Sequence, residues 1–181
     1  VLAATTALAA ISIALTGCTA TATPDPMASH DMGSMTQGDS KNDAVMFAQM
    51  MIPHHLQALT MSAYAKNNTT NADVLKLAEQ IYTGQAGEIE TMKSWLGSTA
   101  VEGHAMTQGM LSDEEMKTLS AAKGADFDEL FLTGMKAHHE GALAMATQFQ
   151  RTSDVTLKNM VTTILQTQTV EVAIIKQLLK G

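Results

Sequence analysis

The chain has 181 residues, room for one domain of ordinary size with a tail, and 45% of them are hydrophobic, enough to bury a core. Its formal net charge is -7 with only 11 Lys and Arg, so it offers no basic surface to neutralise phosphates, which excludes nucleic acid from the expected partners. Aromatic residues make up 4%, whereas methionine occurs 14 times; a thioether is both a core filler and a soft metal ligand, so placement decides its meaning.

Residues 1–17 are apolar and uncharged, too short for a comfortable membrane span, and lead through Leu15-Thr16-Gly17 into Cys18. This pattern predicts a lipoprotein signal peptide, with Cys18 carrying the lipid that anchors the mature chain to a bacterial membrane. The expected location is extracytoplasmic: the outer face of the cell membrane, or the periplasm. Cys18 is the only cysteine, so an intrachain disulfide and Cys-based zinc or redox motifs are excluded. Residues 18–41 are rich in Thr, Ser, Pro, Gly and Asp without helical or strand period, which predicts a flexible tether. Met27, His30, Met32 and Met35 within it make a loose hook of soft metal ligands.

A bundle domain is expected over residues 42–181. Phe47, Met50/Met51, His54, Ala58, Met61 and Ala65 recur every three or four residues, one face of a helix, until Asn67-Asn68-Thr69-Thr70-Asn71 breaks it. A second helix is predicted over 72–96, with Leu77, Ile81, Gln85, Glu88, Met92 and Trp95/Leu96 on its stripe and Gly97 as its stop. Residues 98–111 form a Gly-rich connector in which Glu102, His104, Met106 and Met110 repeat the chemistry of the tether, and Ser112 opens a short helix with a capping box. The hairpin then recurs. Phe131, Gly134/Met135, His138, Ala142, Met145 and Phe149 match the first stripe; Ile164, Gln168, Glu171, Ile175 and Leu178/Leu179 match the second, across a short break at 151–154. Two helical hairpins, each with one apolar face, predict an all-α, up-and-down four-helix bundle with a short connecting helix.

The two helices richest in methionine carry "MIPHHLQALTM" at 51–61 and "MKAHHEGALAM" at 135–145, the second lying 84 residues after the first. Adjacent residues on a helix point about 100 degrees apart, so the two histidines of a pair take different places. His54 and His138 lie on the core stripes and are expected to approach each other, while His55 and His139, with Met51 and Met135 one turn earlier, lie nearer the edge. Pro53 predicts a kink in a continuous helix, since a proline there removes a hydrogen bond and costs roughly 3 kcal/mol; the corresponding residue is Ala137.

Gln85, Glu88, Gln168 and Glu171 on the partner helices could satisfy the histidines as ordinary core polar groups, or orient them from behind a metal. Methionine and histidine together suit copper, Cu(I) above all, with Cu(II) also accommodated by imidazole. The candidate ligands are His54, His55, Met51, Met61, His138, His139, Met135 and Met145, with Met50 and the tether and connector residues as additions. Enzyme motifs fail: "HEGAL" has Leu143 where a zinc-protease helix needs its second histidine, and no Glu stands three residues before any His, as a di-iron bundle requires.

The segments "FAQMMIPHHLQALTMS" and "FLTGMKAHHEGALAMA", each followed by a helix of the type "LAEQIYTGQAGEIETMKSWL", resemble the domain-of-unknown-function 305 (DUF305) family from Asn42 to Lys180. The resemblance implies a ferritin-like helical bundle, exported or lipid-anchored, some of whose members are similar to copper-binding proteins linked to copper tolerance. It implies metal contact at the His and Met positions of both motifs; Lys136-Ala137 departs from the Ile-Pro that many members repeat. Together these readings predict a lipid-anchored copper-binding protein, not an enzyme, that sequesters copper or hands it to a copper-handling protein partner. The rivals are a structural or interaction lipoprotein with packing histidines and a copper-dependent redox enzyme. No sequence feature sets an oligomeric state.

Overall fold

In a computed structural model, described over residues 40–99, 101 and 108–180, the chain forms five helices and, among the described residues, no strand. Helix α1 (Ser40–Asn68) starts two residues before the expected domain edge and runs unbroken through Pro53. Helix α2 is Ala72–Leu96, α3 Asp113–Ala121, α4 Gly124–Gln148 and α5 Val155–Leu178. Among the described residues, no helix is long and apolar enough to cross a membrane.

The helix ends follow local chemistry. Asn71 caps α2 by accepting from the backbone N–H of Asp73 and Val74, and Asp154 caps α5 in the same way from Thr156 and Leu157. Gly97, with φ 57°, ends α2 in a conformation that side chains disfavour. Ser112 and Glu115 make the reciprocal capping box the sequence predicts. Only three residues join α1 to α2 and six join α4 to α5, so each pair folds back antiparallel. Helix α1 packs on both α2 and α4, and α4 on α5. The short α3 is tied to the end of α1, where the Asn68 amide donates to the carbonyls of Leu119 and Ser120.

The core is divided lengthwise. One apolar cluster holds Phe47, Met51, Ile52, Ile89, Met92, Ala142, Met145 and Ile164, with Phe47 edge-on to Phe149 at 5.1 Å. The other holds Ala58, Met61, Leu77, Ile81, Phe127, Phe131, Met135 and Ile175. Every long helix breaks its apolar stripe between the two clusters, and at that level the sequence places His54 and His55, Gln85 and Glu88, His138 and His139, and Gln168 and Glu171. These eight residues form a polar belt midway along the bundle.

Candidate metal centre

All four belt histidines are 0% exposed, so His55 and His139 are as deeply buried as His54 and His138 and not nearer the surface, as their spacing had suggested. Their partners do reach the rim: His55 Nε2 lies 2.8 Å from Glu88 Oε2 and His139 Nε2 lies 2.7 Å from Glu171 Oε2, both carboxylates keeping a little solvent contact. An antiparallel register puts residues a turn apart on α2 and α5 at different depths, and it is Glu88 and Glu171 that stand opposite the outer histidines.

The inner pair bonds to backbone. His138 Nε2 lies 2.8 Å from the carbonyl oxygen of His54, and His54 Nε2 lies 3.2 Å from that of Gln108. Their rings overlie one another with centroids 3.8 Å apart. Gln85 and Gln168 bond neither histidine. The sequence offered them as partners, but the carbonyls occupy the inner rings and the glutamates the outer ones, and both amides are left buried without a hydrogen-bond partner among the described residues.

A carbonyl or carboxylate oxygen can only accept, so each of these four contacts is donated by an Nε2–H. In a neutral ring that leaves Nδ1 as a bare lone pair. Nδ1 of His54, His55, His138 and His139 is buried and unpartnered among the described residues. Each such atom costs the apolar interior about 1–3 kcal/mol. Burial, and then the neighbouring charge of His55, pushes the His54 pKa down to about 3, and burial followed by His54 and His139 holds His138 well below the usual histidine range. The inner imidazoles are therefore neutral at physiological pH. An imidazole whose N–H is held by a carboxylate or carbonyl, and whose other nitrogen carries a free lone pair, is the orientation metal-ligating histidines adopt.

The candidate sulfur ligands are in the same interior. Met51, Met61, Met135 and Met145 are completely buried, with Met51 and Met135 one turn before His55 and His139, and Met50 is at the edge of burial. Among the described residues no three His, Cys, Asp or Glu side chains assemble into a cation site. Met110 is described and half-buried. Cys18, Met27, His30, Met32, Met35, Glu102, His104 and Met106 lie outside the described residues, as do the expected signal peptide and all but the last two residues of the tether.

The end of the connector has a role that sequence reasoning missed. Residues 108–111 form a strap across α1 and α4. Gln57 grips it with two bonds of 2.8 Å, its amide nitrogen donating to the Leu111 carbonyl and its amide oxygen accepting from the Leu111 N–H. Gly109, with φ 78°, rests on the Ala137 carbonyl, and a Cβ on Gly141 would collide with the carbonyl oxygen of Gln108. The strap thereby holds the Gln108 carbonyl over His54. Glycines at 109 and 141, one in a connector and one inside a helix, were the available signal.

Fold and belt together define a class: an all-α bundle of two helical hairpins enclosing buried histidine, methionine, amide and carboxylate groups. The chain belongs to the DUF305 family, whose model, described as a domain of unknown function, matches residues 44–179. A presumed secreted DUF305 protein from Streptomyces coelicolor has the same fold at 27% identity and a TM-score of 0.73, over 78% of this chain and 93% of that one. A DUF305 fragment from Deinococcus radiodurans matches at 28% identity and a TM-score of 0.68, over 76% and 95%. CopM in its Cu(I)-bound form matches at 28% identity and a TM-score of 0.65, over 74% and 93%, and CopM structures with Cu(II) and silver are similar as well. No protein with a curated description matches.

Proposed function

We propose that this chain is an extracytoplasmic copper-binding protein in which the histidine pairs and their methionines hold the ion as cargo. One observation carries the reading: four buried imidazoles have their Nε2–H tied to an oxygen and their Nδ1 without a partner among the described residues. His55 with Met51, and His139 with Met135, supply imidazole and thioether from one helix turn each, the combination that suits Cu(I). His54, His138, Met61 and Met145 extend the set along the core stripe. Glu88 and Glu171 fix the orientation of the outer rings, as a carboxylate behind a metal-ligating histidine does. CopM, similar in fold and sequence and solved with Cu(I), Cu(II) and silver, supports copper as the ion.

The physiological role follows from the anchor expected at Cys18: copper is captured outside the membrane, by the tether methionines and His30 first, then held in the bundle for sequestration or handover to a protein partner. We read the chain as a binder and not an enzyme, since the donors complete a ligand set without a paired nucleophile and base.

The test is a Cu(I) titration against a competing chelator, for the wild type and for the variant with alanine at His54, His55, His138 and His139. Wild-type binding at fixed stoichiometry, abolished in a variant that keeps its helical circular dichroism, is the expected result. Equal binding by both proteins would make the four histidines packing residues and overturn the proposal.

A further inference from the structure

His54 is the belt histidine whose ring is held by a segment outside the helices. His55 and His139 bond carboxylates on α2 and α5, and His138 bonds the backbone of α1, whereas the oxygen over His54 belongs to Gln108 in the strap. At 3.2 Å that bond is also the longest of the four. Gln108 is itself exposed while the ring it meets is 0% exposed, so on this side a single layer of chain stands between the inner imidazoles and water.

The footprint of the strap surrounds the inner pair. On α1 it meets His54 and, one turn further on, Gln57. On α4 it lies against Gly134, Ala137 and Gly141, a stripe of spacing three and four that flanks His138. Its attachment is light. Among the described residues no backbone–backbone hydrogen bond joins 108–111 to a helix, and the bonds from side chains are the two of Gln57 and the one of His54.

The strap also has room to move. Met110, Leu111, Leu119, Leu130 and Gly134 line a cavity of about 310 Å³ between it and helices α3 and α4, space into which the segment can swing without displacing a helix. Gly109, at φ 78°, is a joint that absorbs backbone rotation, and the Ser112 capping box fixes the far end. Segments with few buried contacts open locally at less cost than the whole fold.

We propose that residues 108–111 are a gate over the seam of α1 and α4, latched by Gln57, through which solutes reach His54 and His138. The identity of the solute rests on the copper reading: Cu(I) enters the inner pair by this route and leaves by it. Gln57 is then a positioning residue, touching the strap and not the ion. The nitrogen free to take an ion is Nδ1, while the strap bonds Nε2, so the latch is closed in the loaded chain as in the empty one. Weakening it makes opening more frequent in both. Uptake and release accelerate by one factor, and affinity is unchanged, because a change felt equally by two states shifts no equilibrium between them.

The experiment compares the full chain with Gln57→Ala, and with Gly141→Ala, which lifts the strap from the α4 side and serves should the first variant not fold. In the metal-free proteins, acylation of each histidine by diethyl pyrocarbonate is followed by peptide mass spectrometry. Stopped-flow transfer of Cu(I) from a chelator, and back to it, gives uptake and release. In Gln57→Ala, His54 and His138 should be acylated roughly 10-fold faster, the order that two lost hydrogen bonds carry, while His55 and His139 keep their rates. Cu(I) uptake and release should rise by that same factor at unchanged Kd, and Gly141→Ala should shift each quantity in the same direction. Acylation that is unchanged, or that rises equally at all four histidines, would overturn the gate. Faster release without faster uptake would overturn it also, marking Gln57 as a support for the ligands. A wild type that binds no Cu(I) would overturn the copper reading, and the acylation pattern would then uphold or overturn the gate alone.

Discussion

His54 carries three constraints at once: a ring held against His138, an Nε2–H spent on the Gln108 carbonyl, and an Nδ1 without a partner among the described residues. Its chemistry has a pH signature. Free histidine titrates near 6.5, and folding lowers His54 to about 3, so between those values the unfolded chain binds a proton that the folded chain refuses. Stability is then full above about pH 6.5 and is lost as the pH falls toward 3, with a limiting slope of about 1.4 kcal/mol per pH unit for one such group. His138 acts in the same direction. Urea denaturation of the metal-free protein should show stability decreasing from pH 6.5 to 5, and His54→Leu should flatten that decrease. An unchanged slope would mean the imidazole is protonated in the fold. That His54 faces the core was legible from its place between Phe47 and Met61; that it would bond a carbonyl was not, because any residue supplies a carbonyl and no side chain marks it.

The strap at 108–111 shows how a short segment without regular structure can order two helices. It is held by the side chain of one residue, Gln57, and by backbone contact at two glycines, Gly109 and Gly141. Gly141→Ala places a methyl group against the Gln108 carbonyl oxygen, a backbone atom that yields only if the strap lifts; overpacking of this kind costs about 1–3 kcal/mol. Gln57→Ala strands the N–H and C=O of Leu111 at a similar cost of about 1–3 kcal/mol. Both changes release the same segment, so chemical denaturation of the double variant should show a loss smaller than the two single losses added together. Strict additivity would mean that the glycine and the glutamine hold independent contacts. The breaks between helices were legible, since the run at 67–71, Gly97, the Ser112 capping box and the break at 151–154 act on backbone groups next to them in sequence; the start of α4 carried no such mark, and Lys123 caps it without a side-chain bond. Pro53 was legible as lying within α1, and the helix runs through it.

The bundle joins two hairpins across the polar belt, with apolar clusters above and below it. Nitrogens that have no partner among the described residues lower the stability of the metal-free fold, and an ion that took them as ligands would bind the folded chain alone. Saturation should therefore raise the melting temperature: at a free ion concentration of a hundred times Kd the linkage is about 2.7 kcal/mol. Calorimetry with and without Cu(I) should show this rise in the wild type and none in the variant lacking all four histidines. A rise that persists in that variant would locate the ion elsewhere, at the tether or connector methionines.

Periodicity, breaks and spacing sufficed for the all-α class, the bounds of α2, the pairing of each hairpin and the His-His and Met positions, because each depends on forces acting within one helix turn or across one short connection. Membership of the DUF305 family was legible for the same reason, carried by motifs contiguous in the chain. Which polar group meets which histidine was decided only in three dimensions. Gln85 and Glu88 share one stripe and look equally able to serve, yet the antiparallel register brings Glu88 to 2.8 Å from His55 and leaves Gln85 without a partner among the described residues. The stacking of His54 on His138, the carbonyl that Gln108 lends to His54 and the meeting of Gly109 with Gly141 all arise where distant segments cross. Such contacts depend on the angle and depth of packing, which a helical period leaves free until every face is buried at once.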